Sequence, residues 1–208
     1  MGTPKDSLIT RARIIEAAGQ LFKDKGFKGV TVRDIAKNAG VHLGALNYHF
    51  RSKDALYREV LLSACKTSAI SEAEQEELLK MAPRDALYII IRDSLKMLNG
   101  QDTSHWQSVL LTRECWDPSG AFGEIAEQYF KPQSDFIARI LGKIVGKDAD
   151  SHPVRFAEIS MLGLIETCGS YRNYVEAVSP GLLAFGTEND WFARQITHLV
   201  IEAAGQEG

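Results

Sequence analysis

Thr31-Val32-Arg33-Asp34-Ile35-Ala36-Lys37-Asn38-Ala39-Gly40-Val41-His42-Leu43-Gly44-Ala45-Leu46-Asn47-Tyr48-His49-Phe50-Arg51-Ser52-Lys53-Asp54-Ala55-Leu56 is the stretch from which the fold is read. The Thr31 hydroxyl can accept from the free amides of a first helical turn, and Asp34, three residues on, can answer it. Ile35, Ala36 and Ala39 give that short helix a narrow apolar face of mostly small residues, and Gly40 permits the positive φ of a tight stop. Val41 is an apolar plug after the turn. Leu43 to Phe50 is a second short helix, with Leu46 and Phe50 four residues apart on its inward side. Ser52 then caps a longer helix, with Lys53 and Asp54 in its first turn and Leu56, Val60 and Leu61 facing inward.

Upstream, Leu8, Ile14, Ile15, Ala18, Leu21 and Phe22 form one helical stripe, with Asp6 or Ser7 as the cap and Gly26 as the stop, so a helix is predicted over about 7–25. Downstream the helical period continues and strand-type alternation is absent. Pro83, Pro118, Pro132, Pro153 and Pro180 divide the rest into about five helices, near 83–99, 104–115, 119–145 with a bend at Pro132, 151–178, and 188–204. Glu72 to Glu77 reads as the solvated flank or end of the fourth helix. The fold class expected is all-α.

Composition narrows the function. Of 208 residues, 45% are apolar and 25% charged, which excludes disorder, and no apolar run approaches the roughly 20 residues of a membrane span. Met1 to Ser7 lacks a signal core, and Cys65, Cys115 and Cys168 are widely spaced without a C-x-x-C pair, so the expected location is the cytoplasm. The formal charge of -3 hides an asymmetry: residues 1–60 hold 11 Lys+Arg against 6 Asp+Glu, a balance of +5, which leaves -8 for the remainder. A basic front on an acidic body fits a polyanion at the front.

Two short helices joined by a glycine turn and preceded by a supporting helix follow the logic of a helix-turn-helix, whose second helix enters a major groove. The string from Thr31-Val32-Arg33-Asp34-Ile35-Ala36 through Ala39-Gly40-Val41 to Asn47-Tyr48-His49-Phe50-Arg51-Ser52-Lys53-Asp54-Ala55-Leu56 resembles the DNA-binding domain of TetR-family transcriptional regulators. The resemblance covers about residues 8–60. It implies a DNA-binding domain at 1–54, joined by a long helix to an all-helical ligand-binding and dimerisation domain at 55–208. Arg113-Glu114 ahead of Pro118, with Gly169-Ser170-Tyr171-Arg172, resembles the subgroup with a CerR-like C-terminal domain. Two positions depart from the commonest family pattern: His42 stands where a serine or threonine often caps the recognition helix, and Asn47 replaces a frequent tyrosine, leaving the aromatic at Tyr48.

Each candidate DNA contact has a structural alternative. Arg33 can place two donors on guanine O6 and N7, or form a surface ion pair with Asp34 or Asp54. Asn47 can pair with adenine, or bond the turn backbone as a buried amide. Gly44 lets a backbone approach the sugar-phosphate chain, or lets helices pack closely. Tyr48 and His49 can donate to phosphates, though His49 beside Phe50 can equally bond internally. Lys53 would give a phosphate a mobile cation. Thr31 caps and can touch phosphate, and His42 and Leu43 lie at the leading end of the recognition helix, where Leu43 can meet a thymine methyl.

A single helix-turn-helix reads too few base pairs to be selective, so a homodimer on a pseudo-palindromic double-stranded DNA operator is expected. By the resemblance, its interface is formed by about 151–178 and 188–204, where Met161, Leu162, Ile165, Trp191, Ile196, Val200 and Ile201 supply apolar surface or else close the monomer core. Trp106, Arg113, Trp116, Tyr129, Phe130, Phe136, Glu166 and Tyr171 mix flat apolar walls with polar handles and are the candidate lining of a pocket for a small-molecule effector. Aromatics at helical spacing are also ordinary core, and Arg113 can instead pair with Glu114 or Glu166. Such a ligand would relieve repression by favouring the wrong separation of the two recognition helices. No cofactor or metal is expected. An enzyme is disfavoured because no H-E-x-x-H, G-x-S-x-G, Walker or G-x-G-x-x-G arrangement occurs, and a helical protein-protein adaptor would leave the basic glycine-turn unit without purpose.

Overall fold

A computed structural model describes residues 4–99, 106–188 and 190–207. Their helices are α1 (Pro4–Lys25), α2 (Val32–Ala39), α3 (Leu43–His49), α4 (Lys53–Ser68), α5 (Glu72–Leu79), α6 (Pro83–Asn99), α7 (Trp106–Trp116), α8 (Phe122–Ile125), α9 (Lys131–Val145), α10 (His152–Gly169), α11 (Arg172–Val178), α12 (Leu182–Glu188) and α13 (Trp191–Gly205). No strand occurs among the described residues, and the protein is all-α.

The helix boundaries follow local chemistry. At the start of α2 the Asp34 N–H donates to the Thr31 hydroxyl at 3.2 Å, while the Thr31 N–H and hydroxyl donate to the Asp34 carboxylate at 3.1 and 2.6 Å. These bonds hold the Asp34 carboxyl below its ordinary range. The helix ends in Gly40 at φ 63°, where the Val41 N–H reaches the Ala36 carbonyl at 3.0 Å. Ser52 caps α4 through the Ala55 N–H.

Several expected boundaries need correction. α1 begins at Pro4 rather than near residue 7, since proline's fixed φ suits a first turn. Glu72 to Glu77 is neither the flank nor the end of α4. It forms its own helix, α5, because Ser71 and Glu74 close a second reciprocal cap. The expected helix 119–145 is interrupted by a π-helical turn, Ala126–Phe130. The expected helix 151–178 breaks at Ser170 and Tyr171, the latter at φ -101°, ψ 19°. α12 precedes the last helix, which starts after Asp190 at φ 50°.

Contacts divide the chain into two compact units, residues 1–69 with 103–129, and residues 70–102 with 130–208. The sequence expectation places the boundary at 54/55; the contacts differ because α4 packs on α1 and because α7 packs on both. In the first unit Ile14, Ala18, Phe22, Ile35, Leu46, Leu56, Val60 and Leu61 are buried, and the Phe22 and Tyr57 rings meet edge-on at 4.9 Å. Full burial of each such aliphatic or aromatic side chain stabilises by about 1.5–3 kcal/mol. The fully buried Trp106 of α7 lies against Gly19 of α1, where an added Cβ would fall 2.4 Å from the indole, and its Nε1–H donates to Glu16 at 2.9 Å. Glu114, also fully buried, accepts from the Tyr57 hydroxyl at 2.7 Å and from the Ser119 N–H and hydroxyl at 2.7 and 2.6 Å. The bond to Glu114 and burial together push the Tyr57 phenol well above its ordinary range, burial contributing most.

The second unit is built on α6, α9, α10 and α13 around Leu87, Ile91, Phe136, Leu141, Val154, Ala157, Ile165 and Val200. Met161, Ile165, Ile196 and Val200 therefore close this core. A different row of α10, Phe156, Ile159 and Leu162, is 66, 65 and 57% exposed.

Candidate nucleic-acid interface

Helix α3 is seated by its inward residues and bare on its other face. Leu46 and the cap residue Phe50 are buried, whereas Leu43, Gly44, Asn47 and Tyr48, which share one side at helical spacing, are exposed, Tyr48 by 82%. His42 precedes the helix with an extended backbone and makes no side-chain cap bond, so its exposed imidazole is free to face outward. A methyl placed on Gly44 would meet no atom within 4 Å, and its φ is not positive, so neither packing nor backbone strain asks for glycine there. The Asn47 side chain is exposed and makes no hydrogen bond among the described residues, unlike a buried amide tied to the turn. His49 is half-buried between the Tyr48 and Phe50 rings, at 5.3 and 6.2 Å.

On α2, Arg33 is exposed and forms no ion pair among the described residues; Asp34, one of its two expected partners, is engaged by Thr31. Thr31 is exposed as well as capping. Lys53 is more occupied than its sequence position suggests. Its ammonium donates to the Phe27 carbonyl at 3.0 Å and the Val30 carbonyl at 3.2 Å, and sits 4.2 Å from the Phe27 ring centroid. Two of its three donors thus staple the loop ahead of α2, leaving one for an external anion. Lys37 and Arg51, which the sequence reading did not single out, are exposed; an isolated surface cation carries no periodic signal by which to find it.

The eight residues expected to line an effector pocket are distributed over both compact units, with Phe130 half-buried at the end of the π-helical turn. Trp106 is buried against α1, and Arg113, rather than pairing with Glu114, donates to the Lys23 carbonyl at 3.1 Å beside Gly26. Trp116 is 74% exposed and Tyr129 half-buried in the π-helical turn. In the second unit Phe136 is fully buried in the core, Glu166 accepts from the Ser170 hydroxyl at 2.6 Å, and Tyr171 is exposed. The second unit also holds a narrow cleft among Arg92, Leu95, Lys96, Asp190 and Phe192, enclosing about 10 Å³. Among the described residues no group of three His, Cys, Asp or Glu could hold a metal ion, and no helix is long and apolar enough to cross a membrane.

A capped short helix, a left-handed glycine turn and a second helix with a bare outer face, all seated on α1, define a helix-turn-helix protein. Residues 14–60 match the model of the bacterial regulatory proteins of the tetR family, and residues 83–204 match the C-terminal domain of the HTH-type transcriptional dual regulator CecR. The chain belongs to the TetR family, in the group with the CecR C-terminal domain. It is 27% identical over 150 residues to the dual regulator CecR of Shigella flexneri, covering 67% of this chain and 66% of that one. The chain spans only 29% and 40% of two other curated relatives it matches. In fold it resembles AibR in complex with isovaleryl coenzyme A and operator DNA (TM-score 0.62, 16% identity, 76% of this chain and 84% of that one). It also resembles FadR of Bacillus subtilis in complex with stearoyl-CoA (TM-score 0.61, 19% identity, 94% and 99%).

Proposed function

We propose that this chain is a cytoplasmic, homodimeric transcriptional repressor that binds a pseudo-palindromic operator and is released by a small molecule. The observation that carries the proposal is the bare face of α3: Leu43, Gly44, Asn47 and Tyr48 are exposed, and no internal contact accounts for Gly44. On this reading α3 lies in the major groove, with His42, Leu43 and Asn47 toward base edges and Gly44 at the closest backbone approach. Arg33 reads guanine, while Thr31, Tyr48, His49 and the remaining Lys53 donor position the head on phosphates.

Dimerisation supplies the second half-site. The exposed Phe156, Ile159 and Leu162 of α10, together with the 37%-exposed Trp191 and 50%-exposed Leu199 of α13, are the apolar surface offered for it, within the expected segments 151–178 and 188–204. For the effector, AibR and FadR were each solved with a coenzyme A thioester, so acyl-CoA thioesters are the first class to test. The 10 Å³ cleft of the second unit is far below the roughly 300–1,000 Å³ of a small-molecule site, so on this reading effector binding opens the helices rather than filling a cavity ready among the described residues. That opening is what would couple binding to loss of DNA affinity.

Selection of bound duplexes from a random pool tests the proposal. Recovery of an inverted repeat supports it; recovery of no shared sequence at low salt refutes it. Isovaleryl-CoA and stearoyl-CoA added to the selected duplex complex then test release.

A further inference from the structure

The recognition helix is held by very little. α3 has seven residues and a single buried side chain of its own, Leu46, so the direction of its axis depends on what fixes its two ends. Arginines of α1 hold the turn that leads into it and the cap residue that ends it. At the turn, Arg13 Nη2 donates to the carbonyl of Ala39, the last residue of α2, at 2.7 Å and makes a longer contact with the Gly40 carbonyl at 3.4 Å. The turn's own amides are spent elsewhere, Gly40 N–H on Lys37 and Val41 N–H on Ala36, so Arg13 supplies donors the backbone does not. A cation there also faces the negative end of α2. At the trailing end, the buried C-cap residue Phe50 carries the Arg11 guanidinium 5.4 Å from its ring centroid, and Arg11 is paired with Glu59 of α4.

We propose that Arg11 and Arg13 are positioning residues that set the orientation of α3, and that they do not contact DNA phosphates. The proposal rests on the helix-turn-helix reading above. By charge alone both would be counted in the basic footprint of the head; although neither is buried, Arg13 is committed to backbone carbonyls and Arg11 to Glu59 and the Phe50 ring. Both lie ahead of residues 14–60, the segment that matches the tetR-family model. The expected signature follows from the two kinds of contact. Base-edge hydrogen bonds need α3 aimed correctly, whereas flexible Lys and Arg contacts to phosphates tolerate a tilt. Loss of a positioning residue therefore removes discrimination and leaves the salt dependence of binding intact.

The test uses the full chain, its selected inverted-repeat duplex and an unrelated duplex of equal length, with affinities measured from 50 to 200 mM KCl. For Arg13→Met, operator affinity is expected to fall about tenfold, the loss of one well-made base contact. Affinity for the unrelated duplex should stay within about twofold, with an unchanged slope of log affinity against log salt. Arg13→Lys, which can still cap one carbonyl, should recover part of the operator affinity. Arg11→Met, which leaves the Arg13 clasp whole, should repeat the pattern from the other end and carries the test if Arg13→Met does not fold. Equal losses on both duplexes with a slope reduced by about 0.9 would make these residues phosphate contacts and overturn the proposal. Unchanged operator affinity in both variants would also overturn it. Failure of the unmodified chain to bind either duplex would instead sink the DNA-binding reading itself.

Discussion

Gly44→Ala separates a functional reason for glycine from a structural one. Glycine in a helix is worse than alanine by about 0.5–1 kcal/mol, and at the second position of α3 part of that difference applies. The added methyl meets nothing within 4 Å and the backbone is not left-handed, so no clash or strain offsets the gain. For a chain of this size 1 kcal/mol moves the melting midpoint by about 2–4 °C, so the variant should melt at the same temperature or up to about 3 °C higher. On DNA the same methyl stands between the helix backbone and the groove wall. If it costs one charge-assisted backbone bond to a phosphate, about 1.5–3 kcal/mol, affinity falls roughly 10- to 150-fold. Thermal melting by circular dichroism and fluorescence anisotropy with the selected duplex read the two effects separately. A variant that loses several degrees yet binds DNA normally would refute the reasoning, since it would mean that Gly44 serves the fold.

Other substitutions probe the remaining assignments. Arg33→Ala breaks no ion pair among the described residues, so melting should move by less than about 1 °C, while discrimination at one guanine falls by about 1–3 kcal/mol in a base-substitution series. Lys53→Ala should weaken selected and random duplexes alike and also lower the melting midpoint by a few degrees, because it unstaples the Phe27 and Val30 carbonyls. Glu114→Ala leaves the buried Tyr57 hydroxyl without its acceptor and should cost about 2–4 kcal/mol in denaturant unfolding, with Glu114→Gln recovering part of the loss. Burial holds Glu158 above the usual carboxyl range, against the opposing influence of Ser134 and Arg155. The native state therefore binds that proton more tightly than the unfolded chain, and stability is lost as pH rises from the ordinary carboxyl value through the raised one. Glu158→Gln should gain stability relative to the unmodified protein at neutral pH, and the gain should vanish below about pH 4, where both states of the wild-type carboxyl are protonated.

What was legible in the sequence is what depends on near neighbours. Thr31 and Asp34 are three residues apart, Gly40 follows its helix directly, and Ser52 precedes its own; each boundary is decided within one turn, and each was readable. The second job of Lys53 was not, because it bonds carbonyls 26 and 23 residues earlier, and carbonyls carry no side-chain signature. Trp106 and Arg113 illustrate the same limit: both bond α1 across 90 residues, and a flat aromatic beside an arginine reads equally as pocket or as core. The break at Ser170 and Tyr171 was hidden because the apolar period continues through it, while the separate helix at Glu72 was obscured by composition although its Ser71 and Glu74 cap stood in plain view. Nor could charge counting show that Arg11 and Arg13 are engaged by the Phe50 ring and the Ala39 carbonyl, since that depends on where α2 and α3 end in space.

The central claim, that two copies of α3 enter successive major grooves, is tested most directly by photo-crosslinking from a benzophenone side chain at position 43. With the selected duplex, the account predicts crosslinks to bases in both half-sites, in two clusters separated by one helical turn, about 34–36 Å, or a multiple of it. Crosslinks confined to one cluster, or to protein alone, would contradict it.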